Sequence, residues 1–403
     1  MNYLLSFNFE YLLMTQKICI ATGTRAEWGL LSAIARQLKQ LPDVELQIVV
    51  TNMHLDPRYG YTVNEIRDQG FDIDAEVPIL SDSPSCSPDK DNALAMARCQ
   101  AGMTEAFSSL QPDMVVILGD RFEMLAVASA AMMLGIPITH IHGGEITLGA
   151  IDDSIRHAIT KMASLHLTST ETYRHRVIQM GEDPARVINT GAIGVHNALS
   201  VPVLSADELA ASIGIKPDKN TILLTYHPAT LDPVVPAIRF QAVIDALQRF
   251  PQLKVIVTYP NNDARSAQII ELIEQFAAAN PGRVIAIPSL GMKRYLSVLR
   301  HIAAVVGNSS SGIIEVPSAG IPTVNIGCRQ QGRAHAESVI DCGDSSDEIY
   351  DAIRLALSAE MQTKAAECDN PYYQPDTPSR IIRAITECRI PRFSHKKFFD
   401  ITF

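Results

Sequence analysis

From residue 17 onward, short apolar runs rich in β-branched residues alternate with longer stretches of helical periodicity, and few folds accommodate that alternation. In the first half the strand segments are KICIATG, VELQIVVTN, MVVILGD, IPITHIHGG, LHLTST and RVINTGAIG, each ending in turn or polar residues. Between them, 28–40, 94–110, 121–134, 152–163 and 171–180 carry apolar residues three and four apart, as in Leu30, Leu31, Ile34 and Leu38. Strand followed by helix, repeated, predicts a parallel sheet covered on both faces.

The pattern restarts after the Pro- and Ser-containing stretch 199–208, with strands TILLTYHP, LKVIVTYPN, RVIAIP, AAVVGNS and IPTVNIG and helices over 236–249, 264–279, 292–300, 311–319 and 345–358. A chain of 403 residues exceeds one ordinary core. The expected class is therefore α/β, with two Rossmann-like doubly wound domains over 17–200 and 205–372. The segment 373–403 follows the break NPYYQPDTPS, and its helix over 377–388 is expected to cross back onto the first domain. Residues 1–16 read as an extension from an upstream start plus the beginning of the first strand; 1–13 lack the basic region and cleavage site of a signal peptide and receive no role.

Composition narrows the function classes. A formal charge of −10 disfavours a nucleic-acid surface but leaves room for arginines that receive a nucleotide's phosphates. No run of eighteen apolar residues occurs, so no bilayer span is expected. Seven cysteines form no C-x-x-C pair and leave one over in any full pairing, which reads as reduced thiols in the cytoplasm.

Ligands of doubly wound sheets gather at the carboxyl ends of the strands, so the polar residues that terminate each run are the candidates. The first run ends in TGTRAEWG, where Gly23 turns the chain and Arg25 opens a helix whose N–H groups could meet a phosphate. Neither G-x-G-x-x-G after this strand nor G-x-x-x-x-G-K-[ST] anywhere is present, so the domain is Rossmann-like without a dinucleotide fingerprint. Asp120 and Arg121 follow the run MVVIL, where helix capping by the aspartate is the plain alternative to a cleft-facing carboxylate. THIHGGE puts His140 and His142 on one face by strand alternation and brings Glu145 after two glycines. Zinc would need further ligands that no other cluster supplies. IDDSIRH opens a helix at Asp152 or Asp153, with Arg156 and His157 one turn on. Convergence of Asp120, Glu145 and Asp152 on one sheet edge would suit proton removal from carbon and donation to a leaving oxygen.

In the second half His227 ends a strand. GNSSSGIIEVPS enters a helix through three serines, with Glu315 one turn in and Arg329 and Arg333 after the next strand. That arrangement suits an anion at a helix N-terminus and the two hydroxyls of a ribose on Glu315. The likeness to a nucleophile elbow fails at Ser311, where glycine is required.

Taken together, TGTRAEWGLL, LGDRFEMLAVASAAM, HIHGGEITLGAIDDSIRHAITK, YHPAT and GNSSSGIIEVPS…NIGCRQQGR resemble the hydrolysing UDP-N-acetylglucosamine 2-epimerases of bacterial sialic-acid biosynthesis, over roughly residues 17–390. The resemblance implies a glycosyltransferase-B-like fold with the active site in the interdomain cleft. It also implies a reaction in which a base removes the C2 proton of the UDP-sugar, UDP leaves C1 by anti elimination, and water adds to the 2-acetamidoglycal; from UDP-N-acetylglucosamine the product is N-acetylmannosamine. Matched by motif, Asp120 and Asp152 carry the family's catalytic carboxylates. Arg25, His227, Asn261, Ser309, Ser310, Glu315 and Arg329 carry its UDP contacts, and Arg121 is a further phosphate candidate. Many relatives have a glutamate where this chain has His142, so His142 and Glu145 share the expectation of handling the proton. The implied chemistry requires no metal or other cofactor, and the family implies a homodimer or homotetramer acting on a UDP-sugar without nucleic acid or membrane. A neighbouring branch acts on UDP-2,4-diacetamido-2,4,6-trideoxyglucose for legionaminic acid, and nothing in these motifs resolves C4 and C6. The reversible epimerases that retain UDP commonly read GDT and EAGL in place of GDR and GGE. A UDP-sugar glycosyltransferase and a UDP-sugar sensor are the readings from other classes.

Overall fold

The computed structural model describes residues 15–82, 87–148, 150–229, 234–260 and 266–401. The expected contact Asn261 and the extension over 1–13 lie outside the described residues.

Two parallel sheets form, one in each of two compact units. The first unit holds the described residues up to Gly144, Ser154–Ile193 and those from Gln374 onward; the second holds Glu145–Asp153 and Gly194–Tyr373. In the first unit seven strands lie in the order β3-β2-β1-β4-β5-β6-β7. They are β1 (Gln16–Thr22), β2 (Val44–Thr51), β3 (Ala75–Val77), β4 (Met114–Leu118), β5 (Ile138–Ile141), β6 (Leu165–Thr168) and β7 (Val187–Asn189). In the second, six strands run β10-β9-β8-β11-β12-β13: β8 (Thr221–Thr225), β9 (Lys254–Thr258), β10 (Val284–Ile287), β11 (Ala304–Gly307), β12 (Thr323–Ile326) and β13 (Val339–Cys342). Strand order reverses between β1 and β4 and again between β8 and β11, and these switch points are where such sheets open a crevice for ligands.

Strand periodicity explains the two-sided cores. In β1, Ile18 and Ile20 face Trp28, Leu31, Ile34 and Leu38 of the helix Arg25–Lys39, while Cys19 and Ala21 pack with Phe107, Val115, Met124 and Val127 on the opposite face. In the second unit Ile222 and Leu224 face Phe240, Val243 and Ile273, and Leu223 faces Leu209, Leu296 and Val298. Each fully buried aliphatic or aromatic side chain contributes roughly 1.5–3 kcal/mol, so both sheets are held by cores on both faces. The helix Thr377–Glu387 packs on the helix Arg25–Lys39 with Ile381 and Ile385 buried. Beyond it Lys396 Nζ sits 2.6 Å from Glu182, whose carboxylate also receives His166 Nε2 at 2.9 Å. No described helix is long and apolar enough to cross a membrane.

Three sequence expectations are corrected. The edge strands β3 and β13 are additions to the sequence pattern; AEV and VIDC are too short to stand out. The helix expected over 311–319 is two pieces, Ser311–Ile314 and a 3-10 turn Val316–Ala319, broken where Pro317 lacks an N–H. His140 and His142 are not strand neighbours on one face, because β5 ends at Ile141 and His142 takes φ 66°.

Trp28 is the chain's sole tryptophan, buried, with its ring edge-on to Phe71 at 5.1 Å. Its emission therefore reports unfolding of the first unit. Phe71→Ala should lower stability by about 3–5 kcal/mol, seen as a lower urea midpoint in Trp28 fluorescence; an unchanged midpoint would contradict this packing.

Candidate active site

Asp120 follows β4 at the switch point of the first sheet. The following helix, Phe122–Met133, has Arg121 at its N-cap without a side-chain cap, while the Asp120 carboxylate pairs with the Arg156 guanidinium. Arg156 is 1% exposed and Asp120 24%, so the arginine is the buried anchor and the carboxylate the part that reaches solvent. A guanidinium keeps its charge at any physiological pH and is costly to bury without an anion. This contact joins two motifs directly: GDR supplies the carboxylate, and the helix opened by Asp152 supplies the arginine one turn in. Asp153 is already engaged, its Oδ1 accepting from the Thr147 N–H at 2.6 Å. Asp152 is half-buried at the helix start.

The histidines divide by environment. His140 is fully buried, bonded through Nε2 to the Gly119 carbonyl at 2.8 Å and through Nδ1 to Thr160 Oγ1 at 3.1 Å. Burial pushes it down to about 3, so it is a neutral strut that fixes the loop carrying Asp120. His142 is buried too, in the turn after β5, and the left-handed backbone at a non-glycine residue marks a conformation imposed by the surrounding structure.

The turn after β1 differs from the expectation. Thr24 and Glu27 form a capping box, with the Glu27 carboxylate accepting from Gly23 N at 2.7 Å and Thr24 N at 3.2 Å. The amides of Gly23 and Thr24, ahead of the helix, are therefore occupied within the turn. Arg25 is half-buried and its guanidinium meets Glu65 at 3.2 Å.

In the second unit the switch point is organised by Asn308. Its Oδ1 accepts from His227 N at 2.7 Å and its Nδ2 donates to His227 O at 2.8 Å, while its own carbonyl receives Arg329 Nη1 at 3.0 Å and Gln330 Nε2 at 2.9 Å. One buried amide thus sets both His227 and Arg329. The preceding Gly307 has φ 135°, and a Cβ there would lie 1.9 Å from the Thr225 carbonyl, so only glycine lets β11 pass β8 at this tip. Ser310 stands at the N-cap of Ser311–Ile314 and makes no side-chain cap, so capping does not account for it; Ser309 beside it is half-buried. Ser311 meets the Tyr295 hydroxyl.

Glu145 also belongs to this unit. It is 3% exposed and paired with the buried Arg333 at 2.7 Å, and Arg333 Nη2 lies 3.3 Å from Thr147 Oγ1. Burial pushes the Glu315 carboxyl up to about 7, helped by the charge of Glu145 and opposed by Ser311 and Arg333. A carboxyl near neutrality can accept from or donate to paired hydroxyls. Asp120 and the IDDSIRH helix are thus brought together, as are His227 with Arg329 and Glu145 with Glu315. Arg156, Arg333 and Asn308 are the organising residues that sequence reasoning did not place in the site; the first two were visible only as basic residues within a motif.

Asn308→Ala leaves both main-chain groups of His227 without their partners and should cost about 2–4 kcal/mol, measured by circular dichroism on chemical denaturation. A loss under about 0.5 kcal/mol would show that Asn308 is not the clamp.

Comparison with known proteins agrees across nearly the whole chain. Residues 36–386 match the family model described as UDP-N-acetylglucosamine 2-epimerase. A Campylobacter jejuni protein named GDP/UDP-N,N'-diacetylbacillosamine 2-epimerase (hydrolyzing) is 37% identical over 388 residues, 96% of this chain and 99% of that one. Polysialic acid biosynthesis protein P7 of Escherichia coli is 35% identical over 389 residues, 96% of this chain and 98% of that one. The crystal structure of UDP-GlcNAc 2-epimerase from Neisseria meningitidis bound to UDP-GlcNAc superposes with a TM-score of 0.77 at 16% identity, covering 93% of this chain and 100% of that chain, which places the fold with the glycosyltransferase-B-like epimerases.

Proposed function

Because the chain belongs to the UDP-N-acetylglucosamine 2-epimerase family, we propose that it inverts C2 of a UDP-linked 2-acetamido sugar and releases UDP and the free sugar, with water as co-substrate. The observation that carries this reading is the Asp120–Arg156 pair, which holds a partly exposed carboxylate at the tip of a parallel strand. In this mechanism Asp120, Asp152, Glu145 and His142 divide two tasks: removing the C2 proton and protonating the oxygen that leaves C1 with UDP. The electrons of the C2–H bond form the C1–C2 double bond as the C1–O bond breaks. Water then adds across the glycal, hydroxyl to C1 and proton to C2 on the opposite face. Arg25, Arg121, His227, Asn261, Ser309, Ser310, Glu315 and Arg329 are proposed to hold UDP, with Glu315 on the ribose and the arginines on the pyrophosphate.

The hydrolysing outcome is supported by the GDR and GGE motifs and by the name of the Campylobacter relative. For the sugar, sialic-acid chemistry favours UDP-N-acetylglucosamine, in line with the polysialic acid relative. A second substrate, UDP-N,N'-diacetylbacillosamine, is favoured by the relative at 37% identity that carries its name. A nucleotide-sugar substrate and unbridged described cysteines support action in the cytoplasm, and a homodimer or homotetramer is the proposed assembly.

Incubation with each UDP-sugar in turn should release UDP and a C2-inverted free sugar from one of them, and product identification assigns the substrate. Intact sugar nucleotide as the sole product, or turnover that requires an acceptor, would overturn the reading. Asp120→Asn should abolish UDP release while UDP binding by calorimetry is largely kept, and His142→Ala should be at least ~100-fold slower if it handles a proton. Normal turnover by both variants would reject these assignments.

A further inference from the structure

Beneath Asp120, the first sheet's switch point contains more buried carboxylates than cations. Glu123 is 0% exposed, and its Oε1 accepts from Asn52 Nδ2 at 2.7 Å and Arg121 Nε at 2.9 Å. Glu27 spends Oε2 on the amides of Gly23 and Thr24. The remaining oxygens, Glu27 Oε1 and Glu123 Oε2, are both buried and have no hydrogen-bond partner. The two carboxylates bracket one residue: Glu27 Oε2 lies 2.7 Å from Gly23 N, and a Cβ on Gly23 would come within 2.6 Å of Glu123 Oε1.

Among the described residues, the other titratable groups packed here supply no second cation. His54 bonds Thr22 and Thr62 through its two ring nitrogens, and burial pushes it down to about 4, so it is neutral. Burial pushes the Cys99 thiol, 3.6 Å from the Glu123 carbonyl, up to about 12, so it is neutral as well. Two ionised carboxylates would thus face one guanidinium, with two acceptor oxygens left unsatisfied in a low-dielectric setting. Both penalties vanish if one proton lies between them.

We propose that Glu27 and Glu123, packed about Gly23, share a single proton, and that this acid pair is the positioning element that holds the Arg121 guanidinium in the GDR turn. The proposal rests on the reading of Arg121 as a phosphate contact. Carrying one negative charge, the pair matches the Arg121 guanidinium and fixes its Nε. Burial and the charge of Glu123 push the Glu27 carboxyl up to about 8. A folded-state value raised above that of the unfolded chain means stability is greatest in acid and is lost as pH rises through about 8.

The test compares wild type with Glu27→Gln and Glu123→Gln. In Glu27→Gln the amide oxygen keeps the Gly23 and Thr24 bonds, and the NH2 donates permanently to Glu123. KM for the UDP-sugar is expected to rise on the alkaline side near pH 8 in wild type, and in Glu27→Gln that rise should move up by at least about one pH unit, a tenfold change in proton concentration. Glu123→Gln removes the anion beside Arg121 and should raise KM at least tenfold at pH 7 with a smaller change in kcat. An alkaline limb unmoved in Glu27→Gln overturns the proposal, as does a wild-type KM in a folded Glu123→Gln. If Glu123→Gln fails to fold, the Glu27→Gln comparison alone decides. A readout without substrate separates this from failure of the epimerase reading: the wild-type minus Glu27→Gln infrared difference, in which the Glu315 carboxyl common to both proteins cancels, should show a protonated-carboxyl band at about pH 7 that is gone at about pH 9.5. Absence of that difference band contradicts the shared proton whatever the enzyme's activity.

Discussion

A buried guanidinium demands an anion, and in the first unit Arg156 finds Asp120. Much of the local architecture follows from that pairing. The helix Asp152–Met162 brings Arg156 to the tip of β4, where it meets the GDR turn. His140, neutral and fully buried, braces the same turn through the Gly119 carbonyl, and Thr160 of the same helix bonds its other nitrogen. Two motifs separated by some thirty residues are thus joined by one buried ion pair.

The second unit solves a different problem with the same economy. Asn308 has one donor group and one acceptor, and both are spent on the main chain of His227, while its carbonyl holds Arg329. The loop at the β8–β11 switch point is thereby preformed, and Gly307 makes room for it. Glu145, Arg333 and Glu315 add a buried charge cluster in which burial pushes the Glu315 carboxyl up.

Much of this was legible in the sequence because the signals were local. Runs such as MVVIL and TILLT are apolar, β-branched and terminated by polar residues, so both sheets and nearly every long helix could be anticipated. Asp120, His227 and the GNSSS segment stand at strand tips by that logic alone. What escaped was short or non-local. Ala75–Val77 and Val339–Cys342 are edge strands made by pairing rather than by pattern. Arg156 with Asp120, and Arg333 with Glu145, are partnerships across long stretches of chain that no spacing rule encodes. The capping box of Thr24 and Glu27 was readable from T-x-x-E but was passed over for a phosphate cradle.

The central claim is that the C2–H bond breaks and is remade from solvent while the bond from C1 to UDP is lost. Turnover of the accepted UDP-sugar in deuterated water, followed by NMR, addresses both at once. The account predicts free 2-acetamido sugar, inverted at C2 and carrying one deuteron there, alongside an equal amount of UDP. Protium retained at C2, or a product still joined to UDP, would contradict it.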